Sequence, residues 1–111
     1  MTDMTQAAAE RIEALIDITE ALNLIFDEEN TALEERRPED AAPLQAEKAR
    51  LASDYARSIR AVAADRAHVA SVDQTLLVRL RAVTTSFEAL AARQRTLLDH
   101  APHPSAVAQG A

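Results

Sequence analysis

The chain has 111 residues, of which 48% are apolar and 3% aromatic, with one glycine, no cysteine and a formal net charge of −6. This composition predicts a single all-α domain with a thin core between helices, and it excludes disulfide bonds and thiolate zinc sites. No apolar run approaches the roughly 20 residues of a membrane-spanning helix. The N-terminus lacks the pattern of a signal peptide, so we expect a soluble, cytoplasmic protein without membrane insertion.

The first predicted helix runs from about residue 5 to residue 37 and ends before Pro38, which disfavours helical geometry at the residue before it. Steps of three and four residues place one stripe on a single face. The stripe consists of Ile12, Leu15, Thr19, Leu22, Phe26, Glu29 and Leu33. Glu29 is its one charged member, and a charge at such a position sets the packing register, is simply exposed, or marks an opening for a partner.

The second predicted helix covers about residues 41–67, after a short break that favours two helices turning back on each other. Its stripe consists of Leu44, Leu51, Tyr55, Ile59, Val62 and Val69. A turn near residues 68–70 follows, and Ser71 with Gln74 predicts a capping box for the next helix. Because no glycine or proline forces this stop, one unbroken helix over residues 42–98 is the alternative.

The third predicted helix, over residues 72–99, has the most regular stripe, a heptad seam that faces a partner helix. The seam consists of Val72, Leu76, Leu80, Val83, Phe87, Leu90, Gln94 and Leu97. We therefore predict one helical domain over residues 1–99, an elongated antiparallel three-helix bundle with coiled-coil-like packing. A hairpin of two long helices is expected instead if the second turn is absent. Two prolines and a glycine predict a disordered tail over residues 100–111.

The charges restrict the partners of this domain. Residues 1–37 contain ten acidic and three basic residues, a net of −7, whereas residues 38–111 contain eight and nine, a net of +1. Nucleic-acid phosphates would repel the acidic part, so we expect no DNA or RNA partner. The pairs Arg79 with Arg81 and Arg93 with Arg95 recur two heptads apart. They fit flanking charges that face the acidic first helix, or else a rim that orients an acidic partner helix.

The sequence shows no pattern typical of a catalytic or metal site. No glutamate is followed by a histidine three residues later, as in di-iron bundles. Adjacent carboxylates on a helix point about 100° apart and do not converge on one substrate. We therefore expect no enzyme activity, no catalytic residue, no metal site and no cofactor.

Three stretches share features with one protein family. A leucine- and glutamate-rich first helix closes with FDEENTAL at residues 26–33, and a short polar break precedes LQAEKARLASDY at residues 44–55. The long heptad helix through Leu98 follows. Over roughly residues 10–98 this pattern resembles the FlgN family of flagellar type III export chaperones. The resemblance implies a small cytoplasmic chaperone that binds the C-terminal helices of hook-associated, filament-junction subunits and keeps them export-competent, with the export apparatus as a further partner.

The physical counterpart of this expectation is an apolar stripe that is left partly uncovered because the core is thin. We predict that Phe87, Leu90, Leu97 and Leu98 bind a partner helix, with Arg93 and Arg95 as the charges that orient it. A monomer or weak homodimer is expected. The alternative function is a structural coiled-coil adaptor or oligomerisation module without chaperone activity.

Overall fold

The computed structural model describes residues 2–100, and this part of the chain is all-α, with no strand. It contains the helices α1 (Thr2–Glu34), α2 (Gln45–Ala63), α3 (Arg66–Val69) and α4 (Gln74–His100), with 3-10 turns at Pro38–Asp40 and Ala42–Leu44 between α1 and α2. The molecule is an elongated helical bundle of 66 × 21 × 20 Å. Of the predicted tail, only His100 lies within the described residues, as the last residue of α4.

The first helix ends at Glu34, three residues before the predicted end. Arg36 has φ 59°, the left-handed conformation that commonly follows a helix. The amide of Arg36 donates to the carbonyl of Leu33 at 3.1 Å, and that of Arg37 to the carbonyl of Ala32 at 2.8 Å. These bonds satisfy carbonyls that have no partner inside the helix, so the helix stops by local capping before Pro38 is reached.

Both long helices that follow pack against α1. The start of α1 is joined to the residues just after α2 by the Arg11–Asp65 ion pair, and its later part to the start of α2 by the Glu29–Lys48 ion pair. The two helices are therefore antiparallel. Two asparagines of α1, seven residues apart, donate to two carbonyls of α4 that are also seven residues apart, so α4 runs parallel to α1.

The apolar interior consists of two clusters along the bundle axis. The first joins the start of α1 to the start of α4 and contains the buried residues Ala8, Ile12, Ile16, Val72 and Leu76. The second joins the middle of α1 to α2 and contains the buried residues Leu22, Ile25 and Leu51, with aromatic rings packed around them. Within residues 2–100 the large apolar side chains in fully enclosed positions are Ile12 and Ile16, both on α1.

The connection between α2 and α4 differs from its prediction. The second helix ends at Ala63, and Asp65 then leaves helical geometry with φ −122° and ψ 42°. The predicted capping box does not form, because the Ser71 hydroxyl donates to the carbonyl of Ala67 instead. Asp73 takes this role, and its carboxylate accepts from the amide of Thr75 at 2.8 Å. Asp73 is the better cap since its short carboxylate sits directly before the first turn.

Candidate partner-binding surfaces

Phe87 lies at the centre of the heptad seam of α4, which we call the inner seam, and it is used for packing inside the bundle. Its ring lies edge-on to Phe26, with centroids 5.4 Å apart, and is stacked on Tyr55, with centroids 5.3 Å apart. Each of the three helices thus contributes one ring. Aromatic pairs in these geometries stabilise beyond their buried area. Phe87, predicted to bind a partner, is therefore already in contact with α1 and α2.

Two polar residues of the predicted stripes, Glu29 and Gln94, meet in a buried polar layer. Both are less than a tenth exposed, and Gln94 Nε2 donates to Glu29 Oε1 at 3.0 Å. Lys48 Nζ lies 3.0 Å from the same carboxylate oxygen and 3.0 Å from Gln94 Oε1. The side-chain amides of Gln45 and Gln94 donate to Glu29 and Asn30 respectively. Glu29 is thus neither exposed nor at an opening for a partner. Of the three interpretations of this charge, the one that remains is that it sets the packing register of the helices.

Lys48 links this polar layer to the aromatic rings. It is the only lysine of the chain. Its ammonium group lies 4.5 Å from the centroid of the Phe26 ring, within the range of a cation–π interaction. One side chain of α2 therefore contacts an anion and a ring on α1 and an amide on α4.

A second set of polar contacts fixes α4 along α1. Asn23 Nδ2 donates to the carbonyl of Val83 at 3.3 Å, and Asn30 Nδ2 to the carbonyl of Leu90 at 3.1 Å. The two donors are seven residues apart on α1, and the two acceptors are seven residues apart on α4. Both hydrogen bonds therefore stabilise the same register of α4 against α1. The Oδ1 atom of Asn23 is buried and has no hydrogen-bond partner within residues 2–100.

The end of α4 extends past the end of α1. Glu34, the last residue of α1, accepts two hydrogen bonds from Arg93, at 3.1 and 3.2 Å. Since the helices are parallel, residues 94–100 continue beyond this point. There Leu97 is half-buried, and Leu98 is 44% exposed. Of the predicted orienting charges, Arg93 thus forms an intramolecular ion pair with Glu34 at the surface. Arg95 is exposed and forms no ion pair with residues 2–100.

Leu90 occupies an intermediate position among the predicted binding residues. Its side chain is half-buried and its carbonyl accepts the hydrogen bond from Asn30. The predicted binding set therefore divides by location. Phe87 and Leu90 lie beside α1, whereas Leu97 and Leu98 lie past its end.

An open groove of about 800 Å³ lies between the starts of α1 and α4, with Val72 and Leu76 in its floor and Glu13 and Arg79 among its lining residues. Within residues 2–100 no cluster of histidine and acidic side chains could hold a metal ion. No helix in this range is long and apolar enough to cross a bilayer.

Comparison of the chain with protein-family models, curated proteins and solved structures gives no match.

Proposed function

We propose that the chain is a small cytoplasmic export chaperone, which binds hook-associated, filament-junction subunits of the flagellum and keeps them export-competent. The observation that carries this proposal is the open end of the bundle. Leu98 is 44% exposed there beside half-buried Leu97, with α1 already ended. A helix of a partner subunit would complete the packing by laying its apolar face on these leucines. The resemblance of residues 10–98 to the FlgN family supports the choice of flagellar subunits.

The geometry around the open end favours a helical partner. The second helix begins at Gln45, beside Glu29 and level with the buried Gln94, so α2 also leaves the last turns of α4 uncovered. Leu97 continues the heptad seam one step past Gln94. An incoming helix would therefore meet a seam that is already in register, and Arg95 at its edge would attract acidic side chains.

The proposal includes the finer architecture, a three-helix bundle with coiled-coil-like packing that acts as a monomer or weak dimer. Three observations support it: α2 is antiparallel to α1, α4 is parallel to α1, and one ring from each helix meets at Phe87. The breaks at residues 64–65 and 70–73 divide the segment after α2.

The proposal is tested by recovering partners from the cells in which the chain occurs. We expect tagged wild-type protein to retain hook-associated subunits in a stoichiometric complex, identified by mass spectrometry. Leu98→Gln should reduce this retention about tenfold, because burial of a leucine contributes about 1.5 kcal/mol or more. Leu24→Gln on α1 is the matched control, since Leu24 is 67% exposed and far from the open end.

Two results would contradict the proposal. Equal retention by Leu98→Gln and wild type would show that the open end is not the binding site. Recovery of copies of the chain alone, as a stable oligomer in sedimentation, would favour the structural coiled-coil adaptor instead.

A further inference from the structure

The solvent-facing side of α4 carries a second heptad stripe, distinct from the inner seam. Six exposed residues follow one another at steps of four and three residues, which keeps them on one face of the helix. This outer stripe consists of Val78, Ala82, Thr85, Ala89, Ala92 and Thr96. Val78 is 53% exposed, and no residue of α1, α2 or α3 covers the stripe.

The arginine pairs flank this outer stripe on both sides. When the stripe residues are the a and d positions of a heptad, Arg79 and Arg93 fall on e positions, and Arg81 and Arg95 fall on g positions. All four are exposed, and only Arg93 forms an ion pair with a residue in the range 2–100. The flanks also contain one acid, Glu88, so the border of the stripe carries a net charge of +3 (four positive, one negative).

The side chains of the outer stripe determine the shape of what could pack there. Alanine and threonine are short, so they leave shallow holes between the flanking arginines, and a second helix could approach closely. The partner must then supply large apolar side chains as knobs for these holes. The flanking charges require acidic residues at the partner's own e and g positions.

We propose that the outer face of α4 is a docking surface for an acidic amphipathic helix, with leucine-like residues at its a and d positions and glutamate or aspartate at e and g. This surface lies on the side of α4, and only its last residues, Arg95 and Thr96, reach the open end at Leu97 and Leu98. The inference therefore goes beyond the export-chaperone role and does not depend on it.

A second copy of the chain is a poor occupant of this surface. Two outer stripes packed antiparallel about their centres would place Arg79 opposite the second copy's Arg93, and Arg81 opposite its Arg95, because e positions then face e positions and g positions face g positions. Like charges at such positions destabilise the pair. A parallel arrangement would place Glu88 opposite the second copy's Arg93, but it would leave Arg79, Arg81 and Arg95 without an acidic partner.

An extended polyanion is also a poor occupant. The exposed face of the neighbouring α1 carries Glu10, Glu13, Asp17 and Glu20, and none of these forms an ion pair within residues 2–100. A membrane surface or a nucleic acid is wide enough to meet these acids as well as the arginines, and it would be repelled. A single helix is about 10 Å across, narrow enough to meet the arginine-flanked stripe alone.

The test uses the full chain and a synthetic probe. The probe is a fluorescein-labelled peptide of about three heptads, with leucine at a and d and glutamate at e and g. The control peptide has lysine in place of each glutamate. We expect the acidic peptide to raise the fluorescence anisotropy saturably, with an affinity that falls as salt screens the charges, and the basic peptide to remain unbound.

Charge-reversal variants locate the binding face. Arg79→Glu with Arg81→Glu should weaken binding about tenfold, because two attractive contacts become repulsive. Arg60→Glu with Arg66→Glu is the matched control, with the same change of net charge on exposed residues of α2 and α3, and it should change the affinity less than twofold. Circular dichroism of each variant confirms that the helices are retained.

A second pair of variants increases the size of a side chain without changing its charge. Ala89→Gln should weaken binding of the acidic peptide, whereas Ala61→Gln at an exposed position of α2 should not. Leu98→Gln should leave peptide affinity unchanged, which separates this surface from the open end.

The proposal is overturned by any of four results. These are absence of binding by the acidic peptide, equal binding of the basic peptide, equal loss in the two charge-reversal variants, and a homodimer in sedimentation that Ala89→Gln abolishes. The last of these would assign the surface to a second copy of the chain.

Discussion

Replacing Lys48 with methionine tests the importance of the buried polar layer. Methionine keeps most of the length and the apolar stem of lysine, so the packing beside Phe26 changes little while the charge disappears. The carboxylate of Glu29, only 3% exposed, is left with hydrogen bonds from the amides of Gln45 and Gln94 and no cation. We expect the variant to be destabilised.

The size of the effect follows from the geometry. At a separation of 3.0 Å and an effective dielectric constant of about 20, the gross attraction between the two charges is about 5.5 kcal/mol. Two terms oppose it: the cost of desolvating the ammonium group, and solvent screening, since the Lys48 side chain is 24% exposed. We therefore expect a net loss of about 2 kcal/mol in the free energy of unfolding, between the values for exposed and fully buried pairs.

The measurement is urea denaturation followed by far-ultraviolet circular dichroism. Arg60→Met is the matched control, because it removes an exposed positive charge from the same helix and should change the unfolding free energy by less than about 0.5 kcal/mol. A double-mutant cycle with Glu29→Gln should give a coupling energy above about 1 kcal/mol. A coupling near zero, or equal losses in Lys48→Met and Arg60→Met, would refute the reasoning.

The remaining predictions concern helix ends and one surface pair. Arg36→Gly should raise the unfolding free energy by about 0.5–1 kcal/mol in urea denaturation, because glycine adopts a φ of 59° without steric cost; a loss would contradict this. Asp73→Ala should lower the unfolding free energy by about 1 kcal/mol by removing the cap of α4, whereas Ser71→Ala should change it by less than half as much. Equal losses in the two variants would favour the capping box predicted from the sequence. The hydrogen bond from Arg50 lowers the pKa of Glu47, so carboxyl titration by NMR should show that Arg50→Ala raises this pKa. The small stabilisation from the pair is present above the unfolded-state pKa of glutamate and is lost as the pH falls through the lowered value; an unchanged titration midpoint would contradict the assignment.

The sequence predicted the all-α fold well because each long helix repeats its apolar residues at helical spacing. The positions Glu29 and Gln94 were visible as polar interruptions of two separate stripes. Their contact was not predictable, because a stripe fixes the face of a helix and says nothing about which layers of two helices meet. That relation depends on the connections at residues 35–44 and 64–73, where the chain geometry is set by local capping.

The buried face of the second helix could also be assigned only in part from the sequence. Leu44, Leu51 and Tyr55 were assigned to its stripe, and Lys48 fills the heptad position between Leu44 and Leu51 that the apolar pattern leaves open. This gap was the signal for the polar layer. Ile59 fits the same stripe by its spacing from Tyr55 and Val62, yet it is 40% exposed. In an alanine-rich helix few large side chains mark the buried face, so each assignment has little support from its neighbours.

The parallel arrangement of α1 and α4 has a consequence for the order of assembly during synthesis. The antiparallel α1 and α2 are joined by residues 35–44 and can pair while the chain is still growing. The apolar cluster around Ile12 and Ile16, in contrast, is closed by Val72 and Leu76, about 60 residues later in the chain. Until α4 has been made, the face of α1 at this end lacks its main cover, so the nascent chain depends on α4 to bury the start of α1.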